Sequence, residues 1–245
     1  MKIFTIANNI DGLLTALFVS YTENIRPDCV VDEKFYQPQI GAVSLSVITD
    51  KKQGERVKNA LYKYGGIDVI LHLKICLMSC DINALTTAFN YAYYMLYKRT
   101  DVSNDLAQKC VSDFSYTIQK VLHERHTVCD LLRFRLSSRG IMCAQYSPEN
   151  DITALLAPHF LRRLGHSPFI IYDIKRNVIA LSDGKSIKNT TTDLSPSFST
   201  VQKEKVFYEI WRKYYNHTYT KECLNQKQID YYPIQYRKYC FENWE

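Results

Sequence analysis

Residues 121–140 read VLHERHTVCDLLRFRLSSRG. The first half keeps the three- and four-residue spacing of a helix, and the second half alternates apolar and polar positions like a strand. The stretch therefore marks where a helical block gives way to a sheet. "LLRFRLSS" and "GIMCAQYSP" alternate on either side of the turn "SSRG", which is the pattern of a β-hairpin. In such a strand Arg133 and Arg135 share one face, while Phe134 and Leu136 face the core.

Upstream, the chain from Asp50 to Leu132 holds only Gly54, Gly65 and Gly66 as glycines and no proline. "DKKQGERVKNALYKY", "DINALTTAFNYAYYMLYKRT" and the long run from Val102 to Phe134 all carry helical spacing. "KIFTIA" near the start predicts a strand. A helix should follow, capped by Asn9, with Leu13, Leu14, Phe18 and Tyr21 on one stripe. Residues 27–50 are irregular and β-prone.

Downstream, "NDITALLAPHFLRRLGH" predicts a short helix capped by Asn150 or Asp151, kinked or restarted at Pro158 and ended by Gly165. "PFIIYDIKRNVIALSDGK" predicts a second hairpin turning at Lys175–Asn177. Residues 188–200 read as a polar linker, and from Val201 the chain reads as helical and aromatic. The expected fold class is α+β, mostly helical, with a small antiparallel sheet built from hairpins and room in it for the first strand. The expected division is an N-terminal region, 1–84, and a core domain, 85–245.

The 245 residues are 46% hydrophobic and 23% charged, enough apolar surface for a folded core and unlike a disordered composition. The N-terminal run is interrupted by Asn8, Asn9 and Asp11, so no signal peptide is expected. The run nearest to a membrane span, "IDVILHLKICLM", is short and contains Asp68, His72 and Lys74. A cytoplasmic protein away from membranes is expected, its eight cysteines reduced and none in a Cys-x-x-Cys pair. Lys and Arg number 14 against 14 Asp and Glu in residues 1–130, and 17 against 11 in 131–245, so the net charge of +6 sits in the second half. That imbalance suits an anionic partner, though ordinary solubility charge would look the same.

Four groups carry candidate chemistry. His123 and His126 share a helix face and could chelate a metal with His159, His166 or Asp173, but the zincin spacing His-Glu-x-x-His is absent. No metal or cofactor is expected. Glu124 beside His126 suits an acid/base pair, since a carboxylate orients an imidazole. The bland alternative is a solvated face with Glu124 paired to Lys120 or Arg125. Arg133 and Arg135, extended by Arg139, Arg162, Arg163, Lys175 and Arg176, suit a guanidinium fork for phosphate, or else ordinary surface ion pairs. His159 lies one turn before Arg163, either on that patch or buried against a carbonyl. Residues 201–245 hold 12 aromatics against 20 in the first 200, interleaved with basic residues including Lys227 and Arg237. Rings and cations together suit unstacked bases, but Phe207, Ile210, Trp211 and Tyr214 also fit a packing stripe.

"IDGLLTALFVSY", "VLHERHTVCDLLRFR", "LLAPHFLRRL", "FIIYDIKR" and the tail "IWRKYY" through "PIQY" resemble, in that order, a bacterial family called "probable DNA metabolism protein". The resemblance implies a place beside a radical-SAM DNA modification or repair protein, and in some chains fusion to a uracil-DNA glycosylase-like domain. The family-like positions are Glu124, His126, Arg133, Phe134, Arg135, His159, Phe160, Arg163, Asp173, Arg176, Trp211, Asn225, Lys227, Pro233 and Tyr236. The chain departs at Ile6-Ala7-Asn8, where a Tyr-Asp-Gly turn is usual, and at Cys223, where an Arg is usual.

The expected function is a DNA repair or modification accessory protein. It would bind nucleic acid through Arg133, Arg135, Arg162, Arg163, Arg176, Lys227 and Tyr236, beside a radical-SAM or glycosylase-like partner. One rival is an enzyme acting on DNA or nucleotides through Glu124, His126, His159 and Asp173. Another is a module docking an acidic protein partner.

Overall fold

The computed structural model of the chain describes residues 1–38, 40–137, 140–165 and 167–192, with the single positions 206, 209, 210 and 213. The chain divides into two compact units, Met1–Leu122 and His123–Glu245. The division drawn from sequence at residue 84 therefore falls inside the first unit.

The first unit opens with β1 (Lys2–Ile6), α1 (Ile10–Thr22), β2 (Cys29–Asp32) and β3 (Val43–Ser46). These strands form a three-stranded sheet in the order β2-β1-β3, with β1 parallel to both neighbours. The first strand thus does not join the hairpin sheet, and this sheet is not antiparallel. The reason is visible in β1, four of whose five residues are buried on both faces, the mark of a central parallel strand rather than an alternating one. α1 carries the chain back across the sheet, so β2 starts at the same end as β1.

Asn9 caps α1 as expected, its side chain accepting from the Gly12 amide at 2.8 Å. The apolar stripe is wider than expected: Leu13, Leu14, Ala16 and Leu17 are buried, while Tyr21 is exposed. Helices α2 (Lys51–Gly65), α3 (Val69–Leu77) and α4 (Ala84–Lys98) follow. Asp50 caps α2 by accepting from the amides of Lys52 and Gln53. α4 presents Leu85, Ala88, Phe89, Ala92 and Met95 to the core, where Phe89 meets Phe4 edge to face. The apolar run "IDVILHLKICLM" becomes the nine-residue α3, and no helix among the described residues is long and apolar enough to cross a membrane.

α5 (Lys109–Leu131) starts later than the helical spacing suggested and contributes to both units. The second unit then builds a five-stranded mixed sheet in the order β4-β5-β6-β7-β8. Its strands are β4 (Arg135–Leu136), β5 (Met142–Tyr146), β6 (Phe169–Asp173), β7 (Val178–Ser182) and β8 (Ile187–Thr191), with α6 (Thr153–Arg163) between β5 and β6. Both predicted hairpins form: β4 pairs antiparallel with β5, and β6 with β7. β5 and β6 run parallel because α6 is the crossover between them.

Two local expectations need correction. The stretch read as a polar linker supplies β8, whose Ile187–Thr191 pairs antiparallel with β7; its polarity is that of an exposed edge strand. Neither Asn150 nor Asp151 caps α6, which starts after Ile152 without a side-chain cap and continues through Pro158. The helix does end where expected, with Gly165 at φ 63° after Leu164.

A Cβ built on Gly12 would lie 2.4 Å from the Ala7 carbonyl oxygen, because α1 starts hard against the end of β1. Gly12→Ala is expected to cost about 1–3 kcal/mol through that clash. The midpoint of urea unfolding reads the loss, and an unchanged midpoint would mean that the turn has room to spare.

Candidate functional site

The second unit is organised around the loop that joins β5 to α6. Glu124 of α5 is buried, and one carboxylate oxygen accepts from the Glu149 amide at 2.8 Å. The other accepts from the Asn150 amide at 2.9 Å and from its Nδ2 at 2.6 Å. Arg176 reaches the same loop with its guanidinium. Nη1 donates to the Pro148 carbonyl at 3.3 Å and Nη2 donates to the Glu149 carbonyl. The loop's amides are thus held by a carboxylate and its carbonyls by a guanidinium.

Asp173, wholly buried at the end of β6, orients Arg176. Its Oδ2 lies 2.9 Å from Nη1, and Oδ1 accepts from the amides of Lys175 and Arg176. Beyond the loop, the Tyr146 hydroxyl is 2.9 Å from Thr153 Oγ1 in the core. Burial pushes the Asp151 carboxyl above the usual range; Arg176 opposes the shift and Asp173 adds to it.

A second cluster lies between α5 and α6. Arg125 Nε donates to the Leu155 carbonyl at 3.1 Å, and Arg163 Nη1 donates to the Cys129 carbonyl at 2.9 Å. Arg133 turns back on the end of α5, where Nη1 donates to the Asp130 carbonyl at 2.9 Å and the Leu132 carbonyl at 3.3 Å. Guanidinium groups thus satisfy carbonyls in the last turn of α5 and just past it, where cations suit the helix dipole. His159 sits among them with Nε2 buried and without a hydrogen-bond partner. Its pKa is lowered, first by burial, then by Arg163, Arg125 and Arg162, with Asp130 pulling the other way.

The predicted residues are therefore not gathered into one site. Glu124, Asp173 and Arg176 converge on the loop. His159, Arg162 and Arg163 line the α5–α6 side. Glu124 does not orient His126; the imidazole is exposed, and its Nε2 lies 3.9 Å from Asp130 Oδ2. Nor does Glu124 take the surface ion pair with Lys120 or Arg125, because loop amides occupy it. Arg135 is exposed on β4, but Leu136, expected to face the core, is exposed there as well, and Arg133 is half-buried ahead of the strand. Arg176 works inside the fold rather than on an outer face. Arg139, His166, Lys227 and Tyr236, with the aromatic segment from 201, lie outside the described residues except for the positions already given. Among the described residues, no group of three or more His, Cys, Asp or Glu is placed to hold a metal ion.

The sequence suggests other partners for Asn150 and Arg125 than the ones they have. Asn150 reads as a helix cap because Asn before an apolar run usually is one. Its actual partner is 26 positions away, a separation that carries no local signal.

Fold and site together define an α+β protein whose mixed-sheet unit is braced by arginines bonded to main-chain carbonyls. The profile of a family described as a domain of unknown function, DUF4130, matches residues 83–242. The chain belongs to that family. No curated protein matches it.

Glu124→Ala would leave two amides and the Asn150 side chain without this acceptor. The expected cost is about 3 kcal/mol, with Glu124→Gln losing less, read from denaturant midpoints. A loss under about 0.5 kcal/mol would mean that water replaces the carboxylate.

His159 gives a pH prediction. Its lowered pKa means the native state favours the neutral ring. That stability is present above the ordinary value of 6.5 and is lost as pH falls through the lowered value. Thermal melts from about pH 7.5 to about pH 5 should show a smaller acid loss in His159→Phe than in wild type. Identical acid limbs would show that other groups set them.

Proposed function

We propose that the chain is a DNA repair or modification accessory protein of the cytoplasm that binds nucleic acid through a basic surface. In this reading Arg125, Arg162 and Arg163 at the α5–α6 junction contact phosphates, with exposed Arg135 adding a further contact. A radical-SAM or glycosylase-like partner performs the chemistry on the bound strand, as the family resemblance suggests.

The observation that carries the reading is the grouping of Arg125, Arg162 and Arg163 at the α5–α6 junction, where Arg125 and Arg163 each bond a main-chain carbonyl; burial lowers the His159 pKa there and these three charges lower it further. Arg125 and Arg163 each spend one N–H on a carbonyl, yet a guanidinium has five donors and keeps its charge. Arg162 is exposed and makes no ion pair among the described residues. Such groups, fixed on helices, suit bidentate capture of phosphate oxygens. The surplus of positive charge in residues 131–245 points the same way.

Fluorescence anisotropy with labelled single-stranded, duplex and uracil-containing DNA tests this. Affinity should fall steeply with salt. Arg135→Ala/Arg162→Ala should weaken binding to all three and reduce the salt slope by about 2, roughly one unit per lost phosphate contact. No binding at low salt would remove direct DNA recognition, and the basic surface would then serve an acidic protein partner.

A further inference from the structure

We propose that the outer edge of β3 docks a second copy of this chain, the two β3 strands pairing antiparallel about a twofold axis at Leu45. The inference is independent of nucleic-acid binding.

The first unit's sheet has two edges, and they are finished differently. On the β2 edge, the Val30 amide donates to Thr86 Oγ1 at 2.9 Å, and the Thr86 hydroxyl donates to the Val30 carbonyl at 3.0 Å. A single side chain of α4 thus satisfies both outward groups of Val30, the Asp32 carbonyl accepts from the Phe35 amide at 3.2 Å, and a further strand would have to displace these contacts.

The β3 edge has no such cover. The Val43 and Val47 amides donate inward to Met1 and Thr5. In a parallel ladder both backbone groups of a residue point the same way, so those of the intervening Ser44 and Ser46 point outward. Among the described residues nothing pairs with them, and all four residues of β3 are exposed.

The composition of this edge fits a copy of itself. Residues 38–49, PQIGAVSLSVIT, carry no charge. An antiparallel twofold at Leu45 sets Ser44 against Ser46 of the other copy as the hydrogen-bonded pairs. It sets Leu45 against Leu45 between those pairs and places Val43 opposite the largely buried Val47 outside them. No like charges oppose one another anywhere along the pairing. The charges, Pro and bulges with which edge strands are normally protected are missing from β3. Instead Ile40, Val43 and Ile48 are exposed at 108%, 72% and 87%. Pairing covers an edge left open among the described residues and turns two three-stranded sheets into one of six strands. Because Thr86 closes the β2 edge, assembly stops at two copies and does not run on into a fibre.

The contact is short, so an affinity in the micromolar range is expected. Sedimentation equilibrium of the full chain from about 1 to about 100 µM should show the mass doubling. Ser46→Pro removes an outward N–H that the chain's own sheet does not use. It should abolish the dimer while circular dichroism and melting stay as in wild type. Leu45→Lys, which places two like charges at the axis, should do the same and decides the matter if the proline variant fails to fold. In Leu45→Cys, mild oxidation should give a disulfide-linked dimer that wild type does not form. A wild type that stays monomeric at every concentration, or a dimer that survives the two disrupting substitutions, overturns the proposal.

Discussion

Arg176 meets three acceptors at once, and the arrangement of the second unit follows from that. Its Asp173 partner has no exposure to water. A buried carboxylate costs several kcal/mol unless paired and hydrogen-bonded, so Asp173 at this position needs the guanidinium beside it and the two amides it accepts. Once the guanidinium is fixed there, its remaining N–H groups point at the carbonyls of Pro148 and Glu149. The topology makes the meeting inevitable. β5 and β6 are parallel neighbours, so the loop leaving β5 and the hairpin leaving β6 emerge at the same end of the sheet. Glu124 closes the loop from α5, and α6 begins where the loop ends. The positions of His159, Arg162 and Arg163 therefore descend from an ion pair in which none of them takes part.

Local pattern made much of the fold legible. Turn signals flanked by β-prone runs in 132–147 and 168–184 gave both hairpins their place, although β5, β6 and β7 are buried along most of their length instead of on alternate positions. Asn9 and Gly165 were legible because caps act within a few positions of themselves. The parallel pairing was harder to see. "KIFTIA", "CVVD" and "VSLS" look alike as short β-prone runs, and their direction depends on α1 lying between the first two. The β8 segment reads as a linker because an edge strand with polar residues has the composition of a loop.

The site was less legible, and the reason is sequence separation. Arg133 and Arg135 show their alternation openly, yet one turns back to main-chain carbonyls and the other faces outward. Spacing assigns a face and says nothing about what lies at the end of a long side chain. Glu124 and His126 are adjacent enough to suggest a pair, but two residues apart on a helix do not share a face. Their partners separate them further: Glu124 is taken by a loop 25 and 26 positions away, and His126 is set beside Asp130, one turn along.

The carbonyl contacts of Arg125 and Arg163 bear on what the proposed surface gains from them. A long side chain that must be immobilised to bind an anion loses rotamer entropy at that moment, about 0.5–1.5 kcal/mol for each such chain. A guanidinium already tethered to a neighbouring helix has lost that freedom during folding, and its charge remains available. Arg135 and Arg162 carry no such tether among the described residues, so under the proposed reading each would lose that entropy on binding. The tethered pair would therefore set where a phosphate sits, and the untethered pair would contribute mainly long-range attraction and salt dependence. The same tethers stabilise the α5–α6 contact, so charge at this junction is coupled to the stability of the unit. The same arginines bear on His159, whose ring packs edge to face on Phe160 and whose Nε2 is buried without a hydrogen-bond partner: burial lowers its pKa and the nearby guanidinium charges lower it further.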